Sequence, residues 1–259
     1  MNRYLARVSC RRLVQVGVGA WLVFVIAYVI FVLTPIGQLI DDELLETFRA
    51  ETLVRTTLTS ALHLINVVTI AIAGIVIVSL AAIRHRFTIG VVAVVSFGVA
   101  IIAAEVFKLV LPRPAHQPEL DEALGRVGVD TYPSGHSTII TAGVIALLWA
   151  WGAANRAAWV LGAAVVIVVV SATVIAGWHR PSDGIGGISL AIAVLSMAGW
   201  WMTCRVGPHS SAFSGTKSPP NGRNVPENGG GAGFEGDTRS PRPGSPRPGS
   251  PRPGSPRPG

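Results

Sequence analysis

Six stretches without a single charged residue organise this chain: Leu13 to Ile40, Thr56 to Ile83, Phe87 to Ala104, Thr131 to Asn155, Ala157 to His179 and Gly184 to Cys204. Each supplies roughly 20 residues, the length of α-helix that crosses a hydrocarbon core. Separate apolar spans in lipid must satisfy their backbone groups internally, which makes helices the economical solution. The pattern predicts spans near residues 15–36, 61–82, 88–110, 137–154, 158–178 and 184–203. The expected class is therefore all-α, a polytopic membrane protein built as a six-helix bundle over 15–204.

The charged residues between these spans predict how the helices thread. Arg3, Arg7, Arg11 and Arg12 precede span one, Arg84 and Arg86 separate two from three, Arg156 separates four from five, and Arg205 follows six. Alternating helices put all of them on one side, and the positive-inside rule makes that side cytoplasmic, with both termini. The opposite side receives residues 37–60, the segment from Pro112 to Ser137 and the turn around Arg180 to Asp183. Within 37–60, acidic residues alternate with Leu44, Leu45, Phe48 and Leu53, as in an amphipathic outer helix that packs on the protein or lies on the membrane surface. Nothing in that loop reads as catalytic.

Composition sharpens this reading. Half the residues are hydrophobic and only 14% are charged, which excludes an ordinary soluble domain. A cleaved signal peptide does not account for the first stretch, because no small-residue cleavage site is evident and five more stretches follow. The net charge of +7 suggests an acidic partner until it is divided: residues 1–204 carry +2 and residues 205–259 carry +5. No basic stripe with interleaved aromatics accompanies it, so nucleic-acid binding is not indicated. Residues 205–259 read as a disordered cytoplasmic tail, rich in Gly, Pro, Ser and Asn and closing on four Ser-Pro-Arg-Pro-Gly repeats from Ser240. Its arginines and prolines leave open a tail-binding partner or anionic lipid. Cys10 and Cys204, at opposite ends of the hydrophobic body, predict neither a disulfide framework nor a metal pair.

Hydrophobicity leaves Glu105, Lys108, Arg113, His136, His179 and Asp183 unexplained. They fall at the end of span three, the start of span four and just beyond span five, all on the outer side. Ionisable groups at membrane depth are costly unless paired or used. Lys108 is one of two lysines against 19 arginines, an unusual choice in this chain. Taken singly, Lys108 and Arg113 also fit snorkelling to headgroups and His179 an interfacial anchor beside Trp178. Ser134 also fits a helix N-cap, and Gly135 a bend at the helix entrance.

Together these residues resemble the PAP2 (type 2 phosphatidic acid phosphatase) superfamily. Pro133-Ser134-Gly135-His136 matches its central motif, and His179-Arg180-Pro181-Ser182-Asp183 supplies the second half of its third, over roughly residues 60–204. Two positions depart. The first motif, normally Lys, six residues and Arg-Pro, here has four residues between Lys108 and Arg113-Pro114. The third motif's Ser and Arg positions hold Ala172 and Thr173.

The resemblance implies that His179 attacks phosphorus to form a phosphohistidine, that Asp183 orients it, and that His136 serves as general acid and then base. It also implies that Lys108, Arg113, Ser134 and Gly135 bind phosphate oxygens. Arg180 is the candidate to replace the missing arginine, and Glu105, one turn before Lys108, is supporting. The two histidines with Glu105 and Asp183 lack a recognised metal spacing and face three basic groups, so no metal and no other cofactor is expected.

The implied substrate is a phosphorylated membrane lipid, phosphatidyl or prenyl-linked, whose tail stays in the lipid bilayer. Abundant Arg, Ala and Val suit a GC-rich bacterial genome, giving a bacterial plasma membrane protein with an extracytoplasmic active site. The alternative is a catalytically weakened or inactive PAP2-like binding or structural protein. Removing residues 207–259 should leave phosphate release from lipid substrates unchanged, as measured on the truncated and full chains side by side.

Overall fold

The apolar stretches wind into helices in the computed structural model, which describes residues 10–65, 67–111, 132–153 and 155–204. Arg113, the N-terminal arginines Arg3 and Arg7, most of the Pro112–Ser137 connection and the repeat tail lie outside the described residues. Among the described residues no strand occurs. The elements are α1 (Cys10–Ala27), which continues as a π-helical turn over Tyr28–Val32, α2 (Pro35–Phe48), α3 (Thr52–Leu62), α4 (Val67–Ile83), α5 (Phe87–Val110), α6 (Gly135–Trp151), α7 (Arg156–Ile175) and α8 (Pro181–Cys204).

The count of six spans is matched only in part. Among the described residues, four helical segments are long and apolar enough to cross a membrane: Cys10–Val32, Phe87–Val110, Arg156–Ile175 and Pro181–Cys204. A fifth exists if α3 and α4, bent by 52° across the break between them, count as one. At 17 residues, α6 is shorter than these four, about 25 Å at 1.5 Å per residue. Part of the uncharged stretch from 131 to 155 is spent on turns: Pro133-Ser134 before the helix, and Gly152 in a left-handed C-cap (φ 74°) after it. Large apolar side chains such as Val160, Leu161, Ile167 and Val168 on α7 are exposed, a surface suited to hydrocarbon rather than water.

Helix ends follow local chemistry. Thr34 accepts the Gly37 N–H at 3.0 Å, with Pro35 in the first turn. Asn155 accepts the Ala158 N–H at 2.9 Å, and Ser134 accepts the Ser137 N–H at 3.3 Å. The loop 37–60 divides into α2 and α3. It is more than an interfacial amphipathic helix, since Asp41 is buried against the start of α8.

The core is an Ala-rich contact of α4, α5, α6 and α8 around Ala93, Phe97, Ala142, Ala146 and Ala191. Small side chains let helices approach closely, which is how membrane helices gain packing contacts. α6 and α8 approach closely backbone to backbone: a Cβ at Gly187 would lie 2.5 Å from the Ser134 carbonyl oxygen and 3.0 Å from the Thr138 nitrogen. α1 and α8 run antiparallel along one flank, and their far ends join Cys10 to Cys204, with Cα atoms 6.0 Å apart. This disulfide overturns the expectation from sequence, because a separation of 194 residues hides the pairing of the first and last helices. At that same end Arg84 lies over the Trp151 ring, 3.6 Å from its centroid.

Gly187→Ala should lower the thermal midpoint in detergent, by about 1–3 kcal/mol of strain. Gly74→Ala, where an added Cβ meets nothing within 4 Å, should leave it unchanged; equal shifts would contradict the close approach.

Candidate functional site

The site lies at the end of the bundle opposite the disulfide, where the starts of α6 and α8 meet the end of α5. A buried tyrosine anchors the approach to α6. Tyr132 is fully buried and donates its hydroxyl to the Phe24 carbonyl on α1 at 2.5 Å. Its ring packs between Phe24 and Tyr28, with centroids 5.2 and 5.4 Å away. Burial first, then the charge of Asp183, pushes the phenol well above its ordinary range, so it stays a donor. The Ser134 N–H then bonds the Asp183 carbonyl at 2.9 Å, tying the second motif directly to the third.

Gly177 carries the second half of the arrangement. It follows α7 with φ 76°, in the left-handed region open to glycine, and the chain reverses through Trp178 and His179 into Pro181, the first residue of α8. Thr173, at the position where the motif expects arginine, is fully buried. Its hydroxyl donates to the Val170 carbonyl at 2.7 Å, and its own carbonyl accepts the Trp178 N–H at 3.0 Å and the His179 N–H at 3.4 Å. It shapes the loop but supplies no cation.

The sequence-derived residues converge, with Arg113 outside the described residues. The His136 and His179 rings face one another with centroids 6.0 Å apart. Trp178 packs edge-on against His136 at 5.2 Å. Lys108 donates to Glu105 at 2.7 Å, and this pair lies across the α6 start: a Cβ on Gly135 would sit 3.1 Å from Lys108 Nζ and 3.3 Å from Glu105 Oε1. A lysine, two imidazoles and the N-terminus of α6, with the positive end of its dipole, thus share one small volume. That set of groups has the chemistry to attract an anion.

Asp183 is fully buried. Its Oδ2 accepts the Arg180 N–H at 3.0 Å and lies 3.8 Å from His179 Nδ1, near enough for electrostatic attraction and too far for a hydrogen bond. The Ser134 hydroxyl accepts the Ser137 N–H as the α6 N-cap, a role compatible with its O–H donating to a phosphate oxygen. The Arg180 side chain is paired with Asp42 through its Nε–H. Two contributors escaped sequence reasoning. His63, at the end of α3, packs edge-on against Trp178 at 5.0 Å, and the Asp41-Asp42 pair of α2 reaches the loop after His179. The signal for the aspartates was their adjacency in a loop facing the motif side, too weak to separate from an ordinary amphipathic pattern.

Among the described residues no cluster of three His, Cys, Asp or Glu side chains is placed to hold a metal ion. An apolar groove of about 870 Å³ between α1, α5 and α8, lined by Gly17, Trp21, Val95, Ala193 and Met197 among others, contains none of the polar groups above.

Residues 87–206 match the model of the PAP2 superfamily. A curated protein of Sulfolobus acidocaldarius, an undecaprenyl-diphosphatase, is 34% identical over 102 residues, covering 38% of this chain and 48% of that protein. The chain therefore spans about half the length of that relative. No solved structure matches.

Removing the Asp183 carboxylate should destabilise the fold by about 1–3 kcal/mol, because it strands the buried Arg180 N–H. Asp183→Ala should thus melt well below His179→Ala in a detergent thermal scan, and similar midpoints would show that the carboxylate carries no structural load.

Proposed function

Residues 87–206 match the PAP2 superfamily, and from that premise we propose that the protein hydrolyses a membrane lipid phosphate or diphosphate at the extracytoplasmic face through a phosphohistidine. The observation that carries this reading is the pair of facing imidazoles, His136 and His179, beside Lys108 and the N-terminus of α6. The relative's name makes a polyprenyl diphosphate the first substrate to test, with phosphatidyl monophosphates next.

Neutral His179 attacks phosphorus, forming an N–P bond as the bond from phosphorus to the bridging oxygen breaks. His136, in its protonated form, gives its proton to that oxygen, so a lipid alcohol or lipid monophosphate departs uncharged at that atom. Burial, then His179 and Lys108, lower its affinity for that proton, which the anionic phosphate must raise. Water then attacks the phosphohistidine, His136 takes the proton, the N–P bond breaks and inorganic phosphate leaves. Both histidines return to their starting states. Asp183, buried beside Nδ1, stabilises the positive charge that develops on His179. Lys108, with Arg113, neutralises the oxygens of the transferring group, and the Gly135 N–H at the helix start adds a fixed dipole. No step needs a metal.

Charge supports the outer placement. The site is at the end opposite Arg84, and arginine-rich loops favour the cytoplasm. An outer site lets a lipid present its headgroup while its tail stays in the membrane, so the substrate is drawn from the bilayer.

One specific feature favours a slower enzyme. Buried Thr173 stands where the motif carries a cation, and loss of one electrostatic clamp on a transferring phosphoryl group costs several kcal/mol if uncompensated. Arg180 is the compensating candidate.

The deciding assay measures phosphate release by purified protein, with chelator present, from polyprenyl diphosphates, prenyl monophosphates and phosphatidic acid. His179→Ala should abolish release and His136→Ala should lower it about 10²- to 10⁴-fold. Equal release by wild type and His179→Ala would overturn the covalent route. No release from any lipid would leave a binding protein.

A further inference from the structure

The loop that carries His179 is held from outside the matched segment. Asp41, on α2, is 1% exposed. Its Oδ1 accepts the Ser182 N–H at 3.0 Å and its Oδ2 accepts the Ser182 hydroxyl at 2.5 Å. The neighbouring Asp42 accepts the Nε–H of Arg180. With Asp183 taking the Arg180 N–H, three carboxylates fix residues 180 and 182 immediately after the proposed nucleophile. Burying a carboxylate is expensive, and here the cost is offset by two hydrogen bonds and by the positive end of the α8 dipole.

The ring of His179 lacks comparable restraint. Its Nδ1 is buried and makes no hydrogen bond among the described residues, and Asp183 approaches only to 3.8 Å. The angle of the imidazole is therefore set chiefly by where the backbone at 179–182 sits, and that backbone is pinned by α2. We propose that Asp41 and Asp42 are positioning residues for phosphoryl transfer, aligning His179 and Arg180 through the backbone of residues 180–182. The purely architectural alternative is that they only dock α2 and cap α8, in which case they affect stability and leave the ring's reactivity alone.

This inference rests on the phosphatase reading, so its test has an arm that does not need turnover. Full-length wild type, Asp42→Asn, Asp42→Glu, Asp41→Asn and the exposed α2 control Glu43→Gln are compared in detergent. Steady-state hydrolysis of farnesyl diphosphate gives kcat and KM. The rate of diethyl pyrocarbonate modification at His179, read by mass spectrometry, gives the ring's reactivity.

Asp42→Asn should lower kcat by roughly ten- to a hundredfold, as misplacement of a reacting group does, with KM little changed. It should also alter the His179 modification rate several-fold, whereas Glu43→Gln matches wild type in both and Asp42→Glu recovers most of the loss. If Asp41→Asn fails to fold, Asp42→Asn, whose side chain is one-third exposed in the wild type, decides alone. Folded Asp42→Asn with wild-type kcat and wild-type His179 modification would overturn the proposal. If wild type releases no phosphate, the phosphatase reading fails, and the modification rates still decide whether α2 aligns the loop.

Discussion

The backbone contact between the starts of α6 and α8 is the constraint on which the site depends. The Ser134 N–H bonds the Asp183 carbonyl, and Gly187 leaves room for the Ser134 carbonyl and the Thr138 nitrogen to approach. One hydrogen bond and one missing side chain thus bring together two motifs more than 40 residues apart in the sequence. Everything chemical follows from that closeness: His136 rides on the first turn of α6, His179 precedes the first turn of α8, and their rings face each other because the two helices start together. Tyr132 fixes the same corner to α1, and Asp41 fixes it to α2.

The electrostatics follow the same logic. Lys108 shares its charge with Glu105 above the α6 N-terminus, and Arg180 shares its own with Asp42. Among the described residues, both of these cations near the proposed phosphate position are held by a carboxylate. Pre-oriented charges of this kind need little reorganisation when negative charge shifts during phosphoryl transfer, which is where electrostatic catalysis gains most. The same pairing explains how this chain keeps basic groups at the edge of a hydrophobic bundle.

Much of this was legible in the sequence. Uncharged stretches located the helices because desolvating charge is expensive, and the same expense marked Lys108, His136, His179 and Asp183 as exceptions. Less legible was what depends on contacts distant in sequence. The junction of Cys10 with Cys204 required knowing that α1 and α8 lie antiparallel. The shortness of α6 required separating the turn residues Pro133 and Gly152 from a stretch whose charge content looked uniform. In sequence Asp41 and Asp42 fit the polar face of an amphipathic helix, because a sequence shows that a residue is charged and not which buried N–H it meets.

The central claim is that His179 carries the phosphoryl group in transit. Its most direct test is rapid quenching of wild type and of His136→Ala with a lipid diphosphate, under alkaline conditions that preserve phosphohistidine, followed by peptide mass spectrometry. The lipid monophosphate leaving group needs less acid assistance than an alcohol, so in His136→Ala formation is slowed less than breakdown. The account predicts added phosphate on the peptide containing Trp178-His179-Arg180 and none in the His136→Ala/His179→Ala double variant. Phosphate release that proceeds with no label at His179, or label that persists in the double variant, would contradict it.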